Sequence, residues 1–389
     1  MVMMKTSRKP NPLRKVVTRS RLARRSGVAP PGGAHDGRPR GRRASGSLAF
    51  GDGAGRARRP PLCSVVIRAY NEEQHLARLL VGILHQTIRD AEIILVDSGS
   101  TDATLAIASR YPVRVLRIDP EVFSFGRSLN LGCAAARGDF IVMASAHVYP
   151  VYADWLERLL ETFADEQVAA VYGKQRGDTT TRFSEHHIFR QWFPDVSVPR
   201  QASAFCNNAN AAIRKRLWRL RPYNEDLPAL EDVDWAAWAL QEGFFVSYRA
   251  EAEVIHVHDE GPRAVFNRYR REAMALKRIR PQEHFGLGDL VRLLVVHVTF
   301  DLREALRQGA ARRHLAEILW FRWRQFWGTY RGYVTAGPLT GQLKEAFYYP
   351  RRPAALVPVS YRPIRPLDYT VLAPSQDPPR PRAGRKGRR

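Results

Sequence analysis

From residue 61 onward, short apolar runs alternate with segments of helical period. Residues 64–67 (SVVI) read as a buried strand. Residues 72–84 follow, with Leu76, Leu79, Leu80, Ile83 and Leu84 on one stripe, the spacing of an amphipathic helix. The same rhythm predicts a strand over 92–96, a helix over 101–111, a strand over 113–118, a helix over 126–137 and a strand over 140–144. Strands alternating with helices at this spacing argue for an α/β fold whose mostly parallel sheet is flanked by helices on both faces.

After Tyr149 the pattern changes. Residues 154–163 read as a helix and 168–172 as a strand. Residues 211–217 and 232–242 read as helices, and 245–248 and 252–255 as extended. Residues 174–201 are polar and without clear period, which predicts a binding loop or lid. From Arg263 the chain reads as helical and is rich in arginine and aromatics. Its longest apolar stretch, residues 290–300, falls short of the roughly 20 residues that span a bilayer, so a buried or interfacial helix is expected.

Composition changes the picture mainly through charge. The formal net charge is +24, which suggests a nucleic-acid binder until it is located. Residues 1–60 hold 16 Lys/Arg against two acids, and residues 350–389 hold ten against two. The tails therefore account for +22, and residues 61–349 carry about +2. Both tails are expected to be disordered, basic and rich in Gly or Pro. Two readings are open for them: solvated tails with no specific partner, or attraction to an anionic membrane surface, at about 1 kcal/mol per basic residue near it. No specific nucleic acid is expected, because the core lacks the basic-aromatic sheet signature of an RNA-recognition module. Three cysteines without metal-ligand spacing suggest a reducing compartment. No apolar segment follows the charged N-terminus, so no signal peptide is expected.

The chemistry starts at two strand ends. Ala69, Tyr70, Asn71 and Glu72 end the first βα unit, and Asp97 and Ser98 end the second strand, with Asp102 in the following turn. Ligands of open α/β sheets bind outside the carboxyl ends of the strands. Asp97 is equally suited to capping the next helix. Further on, Glu231 and Asp232 open a helix, where the dipole favours acids whatever their function. His256 and His258 lie two apart in an extended segment and so share a side. Asn207, Asn208 and Asn210 cluster in one short turn, and amides offer both donors and acceptors to sugar hydroxyls. Arg268, Arg270 and Arg271 on a helix read either as a solvated face or as cations for a diphosphate, the solvated face being favoured, and Trp235 and Trp238 read as core.

The pairing of AYNEE at 69–73 with VDSGSTDAT at 96–104 resembles the start of the inverting family 2 glycosyltransferases, which have the GT-A fold. Later landmarks recur in the same order. Residues 123–150 stand where the family has a helix, a strand and an acidic metal motif. LEDVDWAAWALQEG (230–243) stands where it has the acidic motif of the catalytic base. HVHDEGPRAVFNRYRREAMAL (256–276) is similar to the histidine-bearing element of the rhamnosyltransferase-like branch. The resemblance implies a GT-A domain over 61–280, a helical extension over 281–349, and tails at 1–60 and 350–389.

It also implies roles. Ala69, Tyr70, Asn71, Glu72, Asp97, Ser98, Ser145 and His147 would hold a nucleotide-sugar donor. Asp232 would be the catalytic base, with Glu231 orienting it or binding the acceptor, and the three asparagines would lie on the acceptor side. The reaction would move a sugar to a hydroxyl of a glycan or lipid-linked acceptor in polysaccharide biosynthesis. It would take place in the cytoplasm, peripherally at the inner face of the membrane. The family's Asp-x-Asp is replaced by Ser145, Ala146 and His147. The carboxylates of that motif chelate a divalent cation, Mn²⁺ or Mg²⁺. Three readings are open here: His147 as a metal ligand together with His256 or His258, His147 or nearby cations steadying the diphosphate without metal, or a catalytically inactive nucleotide-sugar or glycan binding protein.

Overall fold

The computed structural model describes residues 60–335, so the basic tails lie outside the described residues. Strand β1 (Cys63–Ala69) leads into helix α1 (Leu76–Leu84) and strand β2 (Ala91–Asp97). Helix α2 (Thr104–Ala108), strand β3 (Val113–Arg117), helix α3 (Phe125–Ala135) and strand β4 (Phe140–Ser145) complete the front half. Here β1 pairs in parallel with β2 and β4, and β2 with β3. Alternation along β1 builds two cores. Val65 and Ile67 pack with Leu76, Leu79 and Leu80 of α1. Val66, on the other face, packs with Leu129 and Cys133 of α3. Side chains of successive strand residues point to opposite faces, so both sides of this sheet are covered, as the α/β pattern requires.

The rear half is mostly antiparallel. It contains strand β5 (Val148–Pro150), helix α4 (Trp155–Leu160), strand β6 (Val168–Arg176), helix α5 (Phe183–Trp192), and strands β7 (Val198–Gln201) and β8 (Asn210–Arg214). Helix α6 (Lys215–Leu220), helix α7 (Glu231–Gln241) and strand β9 (Phe245–His256) follow. The strand order is β3-β2-β1-β4-β8-β6-β9-β5, with β7 also paired to β9. Parallel pairing thus holds for β3-β2-β1-β4 and for β6-β9. The pairs β4-β8, β6-β8, β5-β9 and β7-β9 run antiparallel.

Several sequence expectations change. Residues 211–217 are not one helix, because β8 occupies the slot between β4 and β6 before α6 begins. The two alanines favour a helix locally, but two backbone ladders outweigh that preference. The helix expected over 101–111 shrinks to α2, because Thr101 and Ala103 donate their N–H groups to Asn71 Oδ1 (2.8 Å) and Glu73 Oε2 (2.9 Å) in the neighbouring turn. The two extended pieces expected at 245–255 are one strand, β9, whose pairing with β6 carries register shifts.

Helices α8 (Pro262–Ile279), α9 (Leu287–Arg307) and α10 (Ala311–Val334) form the C-terminal part of the described chain. Gly328 and Gly332 face α8, where a Cβ would lie 2.6 Å from Phe266 O and 2.5 Å from Arg270 O. Only a bare backbone permits this approach. None of the described helices is long and apolar enough to cross a membrane. Helix α9 buries Leu290 but leaves Val291, Val295, Val296 and Phe300 exposed.

The segment expected as a lid over 174–201 is a wall, built from the end of β6, helix α5 and strand β7. Buried polar bonds hold α5 in place. Asp301 of α9 accepts from Ser184 Oγ at 2.6 Å, is 2.8 Å from His187 Nδ1, and takes the Arg322 guanidinium at 2.7 and 3.0 Å. Breaking a buried charge pair from one side costs about 3–5 kcal/mol, since the remaining charge is left uncompensated. Asp301→Asn should therefore lower stability by roughly that amount in urea unfolding. Asp289→Asn, which removes an exposed partner of Arg292, should change it by less than about 1 kcal/mol.

Candidate active site

A cleft of about 1370 Å³ opens at the carboxyl ends of β1, β2 and β4 and is closed behind by α5 and α8. Its front lip is two turns knitted together. Asn71 takes a left-handed φ of 55°, which asparagine tolerates well. Its N–H donates to Ser100 Oγ at 2.9 Å, and its Oδ1 accepts from Thr101. Next to it, the Glu72 N–H donates to Thr104 Oγ1 at 2.7 Å and the Glu73 N–H to Asp102 Oδ2 at 3.1 Å. Ala69, Tyr70, Asn71, Ser98 and Asp102 all line the cleft.

Asp97 does not. It is 1% exposed, and its carboxylate accepts from the N–H groups of Gly99 (3.1 Å) and Ser100 (3.2 Å). Asp97 therefore holds the turn after β2; it neither faces the cleft nor caps α2, whose N-cap is Ala103 with no side-chain bond. Glu72 also sits behind the lining, where its Oε1 lies 2.8 Å from His147 Nδ1.

The histidine corner follows from strand pairing. Strand β5 sets Val148 opposite His256, and the Val257 N–H donates to His147 O at 3.1 Å. The rings of His147 and His256 stack with centroids 5.0 Å apart. His256 Nε2 and His258 Nε2 are 3.0 Å apart, so the two rings share a side as their spacing predicts. Burial, with His258, His147 and Arg268 nearby, pushes His256 well below its ordinary value and keeps it neutral. Ser145 and all three histidines line the cleft.

Glu185, unassigned in the sequence, completes this corner. Its Oε1 is 2.7 Å from His258 Nδ1 and accepts from Arg268 at 2.6 Å. Burial alone would raise this carboxyl, but Arg268 and His258 hold it well below the usual carboxylate range. Arg268 is therefore no solvated residue. It bridges Glu185 and Glu260, the latter at 2.7 Å. Helical spacing could not reveal this, since a buried arginine and an exposed one follow the same period.

Across the cleft, α7 opens after Leu230, whose φ of 60° is left-handed. A bulky residue rarely holds this conformation, and such strain gathers at functional sites. It aims Asp232 into the cleft. The Asn208 N–H donates to Asp232 Oδ2 at 2.9 Å and the Val233 N–H to Oδ1 at 2.8 Å. Burial and the adjacent Glu231 push Asp232 up to about 7. Glu231 itself is buried, 3.5 Å from Arg68 Nη1 and accepting from Asn208 Nδ2 at 3.4 Å. The guanidinium groups of Arg68 and Arg271 flank the Phe125 ring at 4.6 and 4.8 Å, and all three residues line the cleft.

Asn207 and Asn208 line the cleft, but Asn210 does not. Its Oδ1 accepts from Trp155 Nε1 at 2.8 Å, and its Nδ2 donates to the carbonyls of Lys174 and Ala252. With its amide fully used inside the sheet, Asn210 is a structural residue and not the acceptor contact expected of it. Trp235 is buried in the core as expected, whereas Trp192 reaches the cleft wall.

Residues 64–225 match the family model described as glycosyl transferase family 2. The chain is 32% identical over 195 residues to the O-antigen chain rhamnosyltransferase WbaN of Salmonella anatum, covering 47% of this chain and 62% of that one. It is 29% identical over 218 residues to RfbN, the O-antigen chain rhamnosyltransferase of Salmonella typhimurium, covering 53% and 69%. Among solved structures, the mannosyltransferase PcManGT from Pyrobaculum calidifontis, in complex with GDP-Man and Mn²⁺, aligns with a TM-score of 0.48 and 18% identity over 69% of this chain and 85% of that one. The stretch from within β1 to past α6 is thus similar to the family 2 glycosyltransferases.

Proposed function

We propose that this protein transfers a sugar, with inversion, from a nucleotide-diphosphate donor to a hydroxyl of a growing glycan. The observation that carries this reading is Asp232. Its carboxylate lines the cleft, is oriented by two backbone N–H groups, and has a proton affinity raised to suit a general base near neutral pH. In a single displacement Asp232 takes the proton of the acceptor hydroxyl. The acceptor oxygen bonds to the anomeric carbon, and the bond from that carbon to the diphosphate breaks with its electron pair leaving on phosphate oxygen. The front-lip residues Tyr70, Asn71 and Ser98 bind the nucleotide, and Asn207 and Asn208 face the acceptor. Arg68 and Arg271 supply positive charge within the cleft. A divalent ion at the histidine corner would add charge against the departing diphosphate.

The likeness to two rhamnosyltransferases supports a deoxyhexose donor and a place in surface-polysaccharide assembly. A lipid-linked acceptor would bring the protein to the cytoplasmic face of a membrane. The exposed apolar residues of α9, together with Leu319 and Trp323 of α10 and the basic tails, support peripheral attachment there.

Donor turnover should be screened over UDP-, GDP- and dTDP-sugars. Asp232→Asn should lower kcat by about 10²–10⁴-fold while retaining nucleotide diphosphate affinity, since a positioned base contributes that much. Equal turnover by variant and wild type would remove Asp232 from this role. Nucleotide binding without turnover in the wild type would mark a binding protein instead.

The base works only when ionised. Below the raised value of about 7, kcat should therefore fall about tenfold per pH unit, and above it the rate should level off. A pH–rate profile flat from pH 5 to 9 would contradict this. Phe300→Glu should reduce co-sedimentation with anionic vesicles at low salt without changing turnover on a soluble acceptor.

A further inference from the structure

Three imidazoles converge where the family resemblance places an acidic metal motif. Each of His147, His256 and His258 offers a ring nitrogen within 4.8 Å of the others. We propose that they form a three-histidine centre for a divalent transition ion of the zinc, cobalt or manganese kind, in place of an oxygen-ligand site suited to Mg²⁺.

The bonding around the rings argues for this. His147 Nδ1 meets Glu72 Oε1 at 2.8 Å and His258 Nδ1 meets Glu185 Oε1 at 2.7 Å. Carboxylates only accept, so both Nδ1 atoms are the donors, and in the neutral rings both Nε2 atoms keep their lone pairs. His256 Nδ1 makes the matching contact with Gln175 Oε1 at 2.7 Å. A ligating histidine commits its other nitrogen in this way, to a carboxylate or a carbonyl oxygen that fixes tautomer and ring orientation. With Nδ1–H donated on all three rings, the Nε2 atoms of His256 and His258 face each other at 3.0 Å with two lone pairs. A cation between or beside them relieves this contact, as would a proton on one of the two nitrogens.

The nearby acids do not compete as ligands. Glu185 and Glu260 also approach His258, but both are engaged by the Arg268 guanidinium. That leaves nitrogen donors, which suit borderline transition ions, whereas Mg²⁺ demands oxygen. The centre is also reachable. His147 keeps 31% of its side chain exposed, and all three residues line the cleft, so coordination positions remain for oxygens of a diphosphate. The inference deepens the transfer reading, yet metal binding tests it without any sugar chemistry, so the two can fail separately.

The test uses the full chain without a histidine tag, stripped with a chelator and titrated with Co²⁺. The expected result is one equivalent bound, with the visible bands of nitrogen-ligated cobalt. Zn²⁺ should displace it and excess Mg²⁺ should not. His147→Ala removes the most exposed ring and should abolish these bands, with folding checked by the melting temperature. Glu72→Gln keeps all three ligands and should weaken Co²⁺ binding by about 10–100-fold, the usual effect of losing an outer partner. A competing arrangement has Gln175 donating to His256 Nδ1 and His256 donating through Nε2 to His258, which needs no ion. No Co²⁺ bound, only the spectrum of hydrated Co²⁺ at saturation, or binding unchanged in His147→Ala would overturn the proposal and favour that arrangement.

Discussion

Strand β9 is the constraint on which the rest of the site depends. Along its length it pairs with β6 in parallel and with β5 and β7 in antiparallel fashion. No other strand joins three partners among those described. Its carboxyl end sets His256 beside β5, and so beside His147. Because side chains alternate with a period of two, a slip of one residue would turn His256 away and bring Ile255 to the corner. The register shifts in the β6–β9 pairing let one strand follow two neighbours of different direction and still deliver its last residue to the cleft.

Helix α5 carries that order outward. Its two polar sides do different work. Glu185 faces the cleft and joins His258 to Arg268, while Ser184 and His187 face the Asp301–Arg322 pair in the C-terminal helices. A helix with charged partners on both sides is expensive to bury and correspondingly hard to displace. Helices α9 and α10 are thus coupled to the cleft through hydrogen bonds, although its lining stops at α8.

The front half was legible because burial on both faces leaves plain apolar runs, and because the AYNEE and VDSGSTDAT turns sit at strand ends where topology demands a cleft. The family resemblance and the closeness of His256 to His258 could be read from these landmarks. What stayed hidden depends on tertiary partners. Residues 210–214 favour a helix by themselves and become a strand only because β4 and β6 flank them. Helix α5 buries Ser184, Glu185 and His187 beside Phe183 and Phe189, so polar residues interrupt the apolar period of its core-facing stripe. Asp97 and Asn210 have the chemistry of ligand contacts, but their neighbours in the sheet and turn consume it. Arg268 looks solvated until Glu185, 83 residues away, is folded against it.

Leu230 has a consequence for how the protein can change. Its left-handed backbone costs about 1–2 kcal/mol, and its side chain offsets this by packing beside Phe285, Leu290 and Phe326. Glycine at this position would ease the backbone, but it would free the joint that aims the carboxylate of Asp232 and strip away that packing. Packing and the aim of Asp232 therefore both favour leucine at this position, against a backbone that by itself would favour glycine.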